Sequence, residues 1–174
     1  MRCLTYSECN EWCARRNFSI QRSEGYVGSH VSIESPPFHF AEFAVPTDSG
    51  KKVALARFLY SLIDPIPELL LWLDDWSVWP SSQHMPLFTR FRQGFGESRP
   101  LIDAPGQLLT PDEANDTISI LVVSLQFFWN CHMLTSSGRD AVFISHDECG
   151  WFASRDESVT NSVRQNIEEF FAPR

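Results

Sequence analysis

The last third of the chain, from Trp129 to Phe171, limits the possible folds most. Trp129–Thr135, Asp140–Ser145 and Gly150–Ser154 read as three short strands; in the second, Val142 and Ile144 alternate with Ala141, Phe143 and Ser145. Ser136-Ser137-Gly138 and His146-Asp147-Glu148-Cys149 separate them, and connections that short join neighbouring antiparallel strands. A helix capped by Asp156 or Ser158 then carries Val159, Val163, Ile167 and Phe170 at helical spacing. A meander closed by a helix is a packing unit. The second turn, however, holds four reactive residue types, so scaffold and site compete for the same residues.

The upstream elements follow from local chemistry. Thr5-x-x-Glu8 is a capping-box pattern and predicts a short helix over Glu8–Asn17. Ser19–Gly28 reads as a loop or frayed strand. His30–Glu34 and Pro37–Val45 read as strands able to pair as a hairpin, with Phe38 and Phe40 on one face and His39, Ala41 and Phe43 on the other. Pro36-Pro37 sets the start of the second of these strands or puts it at an edge. Asp48 caps a helix from Ser49 to Leu62 that Asp64-Pro65-Ile66-Pro67 stops. Glu68–Trp79 is ambiguous: Leu69, Trp72, Leu73, Trp76 and Trp79 fit a helical face, but Leu69–Leu73 is an apolar run too short for a helix, which selects a central strand at Leu69–Asp74 over the helix. Pro80-Ser81-Ser82 offers a cap for a helix over Gln83–Gln93, with Phe88 and Phe91 inward and Arg90 and Arg92 partly outward. Glu97–Leu109 reads as a connection. Thr110-Pro111-Asp112-Glu113 is a helix start with capping residue, N1 proline and acidic first turn, and the helix runs to about Phe128. The sum is one α+β domain over residues 1–174, with a mainly antiparallel sheet, a C-terminal three-stranded meander and helices packed against it.

Charge and cysteine usage narrow the function classes. The formal net charge of −8 disfavours nucleic acid and anionic membrane, both of which need clustered Lys and Arg. It suits a basic protein partner. No apolar run approaches the length of a bilayer span. Five cysteines without a regular framework, and no apolar leader after Met1, predict a reducing cytoplasm. The 14 Phe, 6 Trp and 3 Tyr supply core volume or interface anchors.

Several constellations carry potential chemistry. Cys9-x-x-x-Cys13 puts two thiols on one helix face, but no second ligand pair completes a zinc site, so no metal or other cofactor is expected. Cys131 and His132 are adjacent on a strand and point to opposite faces. Arg90, Arg92 and Arg99 read as a patch covering acidic neighbours within the fold. Trp72-Leu73-Asp74-Asp75-Trp76 combines a strand end with two acids and an aromatic anchor, with the acids expected in solvent. The acidic hairpin tip at Asp147-Glu148 is its counterpart. Asp74, Asp75, Trp76, Asp147 and Glu148 are therefore the expected partner-binding residues, and none is expected to be catalytic. The competing reading is a small hydrolase-like or metal-dependent enzyme using His146, Cys149 and a carboxylate; a structural subunit is a third.

Leu71-Trp72 followed by Trp76-x-x-Trp79-Pro80-Ser81, Arg90-x-Arg92, Pro105-Gly106 and Ser145-His146-Asp147-Glu148 resembles a group of uncharacterised bacterial proteins. The C-terminal meander is similar to small immunity-type proteins that neutralise polymorphic toxins. The resemblance covers roughly residues 65–155. It implies a bacterial cytosolic protein that binds a protein partner, such as a basic toxin, and it supplies no catalytic residues.

Overall fold

A computed structural model gives the fold and describes residues 1–24, 29–34, 38–63, 67–76 and 84–171, with only the backbone described for 20–24 and 29–34. The expected stop at Asp64-Pro65-Ile66, the Pro36-Pro37 strand start, the cap at Pro80-Ser81-Ser82 and Trp79 lie outside those residues. The chain runs β1 (Arg2–Leu4), α1 (Tyr6–Ala14), β2 (Ser19–Glu24), β3 (Ser29–Glu34), β4 (His39–Ala44), α2 (Ser49–Ser61), β5 (Leu69–Leu73) and α3 (Met85–Gln93). It continues through β6 (Gly106–Leu109), a one-turn 3-10 helix (Pro111–Glu113), α4 (Ala114–Phe127), β7 (Cys131–Thr135), β8 (Asp140–Ile144), β9 (Cys149–Ser154) and α5 (Glu157–Phe171).

Seven strands form one sheet in the order β1-β6-β5-β7-β8-β9-β4, and every neighbouring pair is antiparallel. The class is α+β, and β7-β8-β9 is the expected meander. β5 lies in the interior of the sheet, buried at all five positions, as its uninterrupted apolar sequence requires. The helix starts are also those that the sequence specifies. Thr5 and Glu8 form a reciprocal capping box, Asp48 accepts from the Lys51 N–H at 2.8 Å, and Thr110 and Glu113 form a second box.

Two expectations need correction. β3 pairs with β2, not with β4, and β4 instead closes the sheet against β9. The reason is apolar content: β4 has rings on both faces and needs a cored sheet, whereas the polar Ser19–Glu24 and Ser29–Glu34 segments form a separate two-stranded ribbon. The Glu97–Leu109 connection also contains a strand, β6. Its buried Gln107 breaks the apolar pattern and turns its amide onto the Pro105 carbonyl at 3.0 Å.

Alternation along the strands builds two cores. Leu69, Leu71 and Leu73 join Phe43, Phe152 and the buried faces of α2, α3, α4 and α5. Leu70 and Trp72 face the other way, toward Leu4, Cys9, Trp12 and Cys13. α1 and, beyond its C-terminus, Phe18 pack on this second face, α1 with Tyr6 meeting Trp72 edge to face at 5.2 Å. Gly106 permits that approach: a Cβ there would stand 2.3 Å from Cys9 Sγ. Cys9 and Cys13 are fully buried core residues. No described helix is long and apolar enough to cross a membrane.

Candidate functional site

On the β7-β8-β9-β4 part of the second face, Leu134, Ala141 and Ala153 join the core of Trp12, Cys13 and Phe18, and a row of half-exposed rings lies beside them. Register makes this row a ladder. Trp72 pairs with His132, His132 with Phe143, Phe143 with Trp151, and Trp151 with Glu42. In-register side chains on one face touch, and here they stack: His132 on Phe143 at 4.6 Å, Phe143 on Trp151 at 5.2 Å with ring planes 10° apart. The next row on the same face is Ala141 and Ala153, ending at Phe40. Small residues beside large ones leave a groove of about 740 Å³. Phe143 and Trp151 form one wall, Phe38 and Phe40 the other, with Glu42 and Arg164 at its margin. Phe40 is 55% exposed. Arg164 is held by Asn161 and donates to the Phe40 carbonyl at 2.7 Å.

Beyond the ends of β5 and β8 the two acidic motifs meet. The Asp74 N–H donates to the Asn130 carbonyl at 3.1 Å, and the Asn130 N–H donates to the Asp75 carbonyl at 2.8 Å. The Asn130 side-chain oxygen accepts from the His146 N–H at 2.7 Å. A backbone N–H only donates, so this atom is an acceptor. Its second contact, 2.9 Å from His146 Nδ1, therefore requires the proton on Nδ1. His146 Nε2 lies 3.5 Å from Asp147 Oδ1, and Nδ1 lies 3.8 Å from Asp75 Oδ2. The tip itself is turned by Ser145, whose hydroxyl accepts from the Asp147 N–H at 3.1 Å, and by Glu148 in the left-handed region at φ 61°.

The expected binding residues divide. Asp147 and Glu148 are exposed, while Asp75 and Trp76 are half-buried, Trp76 packing against the helix-covered core. Asp74 is buried at 5% exposure, contrary to the expectation that both acids face solvent. Strand alternation continues past Leu73 and turns Asp74 onto the same face as Trp72, where its carboxylate lies 3.5 Å from His132 Nε2. Asp74 thus lies buried beside His132, itself a rung of the ladder, and not on a partner-facing surface. Glu148 also faces Lys52, whose ammonium sits over Phe128 at 4.6 Å; burial lowers the Lys52 pKa and the Glu148 charge opposes that.

Cys131 faces the helix-covered core and His132 the other side, as adjacent strand residues must. Burial pushes the Cys131 thiol up to about 12. The Cys149 thiol is also raised, first by burial and then by the Asp147 and Glu42 charges, so the tip does not generate a thiolate. Among the described residues no group of three or more His, Cys, Asp or Glu side chains is placed to hold a metal ion. Arg92 is buried rather than outward, capping the Ala104 carbonyl at 2.8 Å. Arg99 pairs with Glu97 at 2.6 Å, the internal acidic neighbour expected for that patch.

Sequence reasoning did not single out His132, Phe143, Trp151 or Glu42 as a site. A signal exists: Phe143 and Trp151 alternate with Val142, Ile144 and Phe152, so both faces of the meander are apolar. Comparison of the chain with protein-family models, curated proteins and solved structures gives no match.

Proposed function

We propose that the protein acts by binding another protein, without catalysis, through the ring-lined groove on the second face of its sheet. The observation that supports this is the half-exposed ring ladder with the Glu42 carboxylate at its end. Phe143 and Trp151 pair in register with Glu42 beside them, and the exposed Asp147 follows in the β8–β9 turn, four residues beyond Phe143. Stacked rings lose little side-chain entropy on binding and suit apolar anchors. Acids at the margin of such a patch select a partner that brings Lys or Arg, and they raise its association rate. The partner chemistry that fits is a basic polypeptide with an apolar side chain for the Ala141–Ala153 floor. Neutralisation of a basic toxin by an immunity-like protein is the concrete form, and steric cover is its mechanism.

The test is selection from a random peptide library displayed on phage, with the Trp151→Asp protein as the counter-selection target and circular dichroism as the folding control. Enrichment of peptides that pair Lys or Arg with an apolar residue, and that lose affinity for Trp151→Asp and for Glu42→Lys, is the expected result. Enriched peptides of acidic character, or peptides indifferent to both substitutions, would overturn the proposal.

A further inference from the structure

The opposite end of the central strands has the reverse charge. Glu68 precedes β5, and the Ser136 N–H, just after β7, donates to its carbonyl at 3.3 Å. Arg2, Arg15 and Arg16 surround this point, and with Trp12, Glu68 and Ser136 they line a depression of about 530 Å³. In a chain of net charge −8, three guanidinium groups meet one carboxylate there. Glu68 is already engaged. Its Oε1 accepts from Trp12 Nε1 at 2.9 Å and from Arg16. Arg16 is fixed as well, lying flat over the Trp12 ring at 3.9 Å and donating to the Trp12 carbonyl at 3.1 Å. Glu68 therefore answers Arg16 and Arg2 also faces the Glu8 charge, while the charge of Arg15 remains over.

Two buried donors point to what completes the arrangement. Arg16 Nε and Ser136 Oγ have no hydrogen-bond partner among the described residues. A buried donor left without an acceptor is costly, and a group with several acceptor oxygens relieves both. The β7–β8 turn is built to hold Ser136 there: Gly138, at φ 68°, lies so close to the Arg16 carbonyl that a Cβ would stand 2.3 Å from it. The helix C-terminus accounts for one cation at the end of α1, but not for Arg2, which comes from β1.

We infer that this depression binds a phosphoryl anion, gripped by Arg2 and Arg15 and completed by Arg16 and Ser136. Guanidinium forks match the tetrahedral oxygens of such a group, and the dianion is favoured over the monoanion. This site is separate from the ring ladder and does not rest on the reading of that face. The same chemistry arises from free phosphate or from a phosphate ester, and two probes distinguish the sources.

The experiment is a titration of the whole chain, followed by its amide 1H–15N spectrum, with inorganic phosphate and with phosphoserine, and with chloride at matched ionic strength. Saturable shifts at Ser136, Arg15 and Arg16 with either phosphate, absent with chloride, are expected. A tighter fit for phosphoserine identifies an ester; equal affinity identifies free phosphate. Binding should strengthen as pH rises through the second phosphate ionisation near about 6. Arg15→Gln and Arg2→Gln should each weaken it about tenfold, and Glu68→Gln, which removes the competing carboxylate but keeps an acceptor for Trp12, should tighten it. Shifts that never saturate, that chloride reproduces, or that survive both arginine substitutions would show an adventitious ion only and overturn the site.

Discussion

Replacing Gly106 by alanine tests how α1 packs on the second face. A Cβ at that position would lie 2.3 Å from Cys9 Sγ, 3.1 Å from Leu70 Cδ1 and 3.2 Å from Leu4 Cβ. Comfortable separation is about 3.5–4.0 Å, so the first contact is short by more than an ångström and the other two leave no direction of escape. Either α1 lifts from the sheet or β6 bends. Overpacking of this kind costs about 1–3 kcal/mol, and enclosure on three sides places Gly106→Ala near about 3 kcal/mol. For a chain of this size that is a fall in Tm of about 6–12 °C. Cys9→Ala alone removes one buried atom and costs about 1 kcal/mol. In the double variant the new methyl occupies the space the sulfur left, so the two costs do not add. Urea denaturation of the wild type, both single variants and the double variant closes the cycle, with a predicted coupling of about 2 kcal/mol in favour of the double variant. A double variant whose loss equals the sum of the singles would mean that α1 does not seat Cys9 on Gly106, and the packing of α1 on this face would have to be redrawn.

Further expectations follow from the polar contacts. The Glu97 carboxyl is held at about 2 by its hydrogen bonds and charge contact with Arg99; because the folded value is depressed, the stabilisation is present above the unfolded value of about 4.3 and is lost as pH falls toward 2. The Tm difference between wild type and Glu97→Gln should therefore shrink across that acid window, and a difference that stays constant would contradict the pairing. Burial pushes Cys13 and Cys131 up to about 12, so neither should react with a thiol reagent at neutral pH until the protein unfolds; prompt labelling of either in the native protein would refute their core placement. The 15N spectrum of His146 should show the proton held on Nδ1 by Asn130, and Asn130→Ala should weaken that preference.

Local chemistry carried much of this fold into the sequence. The Thr5–Glu8 and Thr110–Glu113 boxes and the Asp48 cap depend on residues within one helical turn of each other, and the Leu69–Leu73 run announces its burial by having no polar face. Strand partnership is different, because it depends on residues far apart in the chain. Nothing local tells β4 to pair with β9 rather than β3, and only that pairing places Glu42 beside Trp151. The candidate site shows the same split. The sequence marked Asp75, His146 and Asp147 as chemically notable, yet the buried oxygen of Asn130 that draws His146 toward Asp75 had no signature. Asp74 was misjudged because its alternation with Trp72 persists beyond the strand, where solvent exposure was the expectation.

The docking face is tested most directly by mapping a selected basic peptide onto the protein through amide and indole NMR shifts. The account predicts shifts concentrated at Phe40, Glu42, Phe143, Trp151 and Asp147, weakened by salt. Shifts centred instead on the apolar hollow between α3 and α4, at Leu87, Phe88 and Phe127, would contradict it.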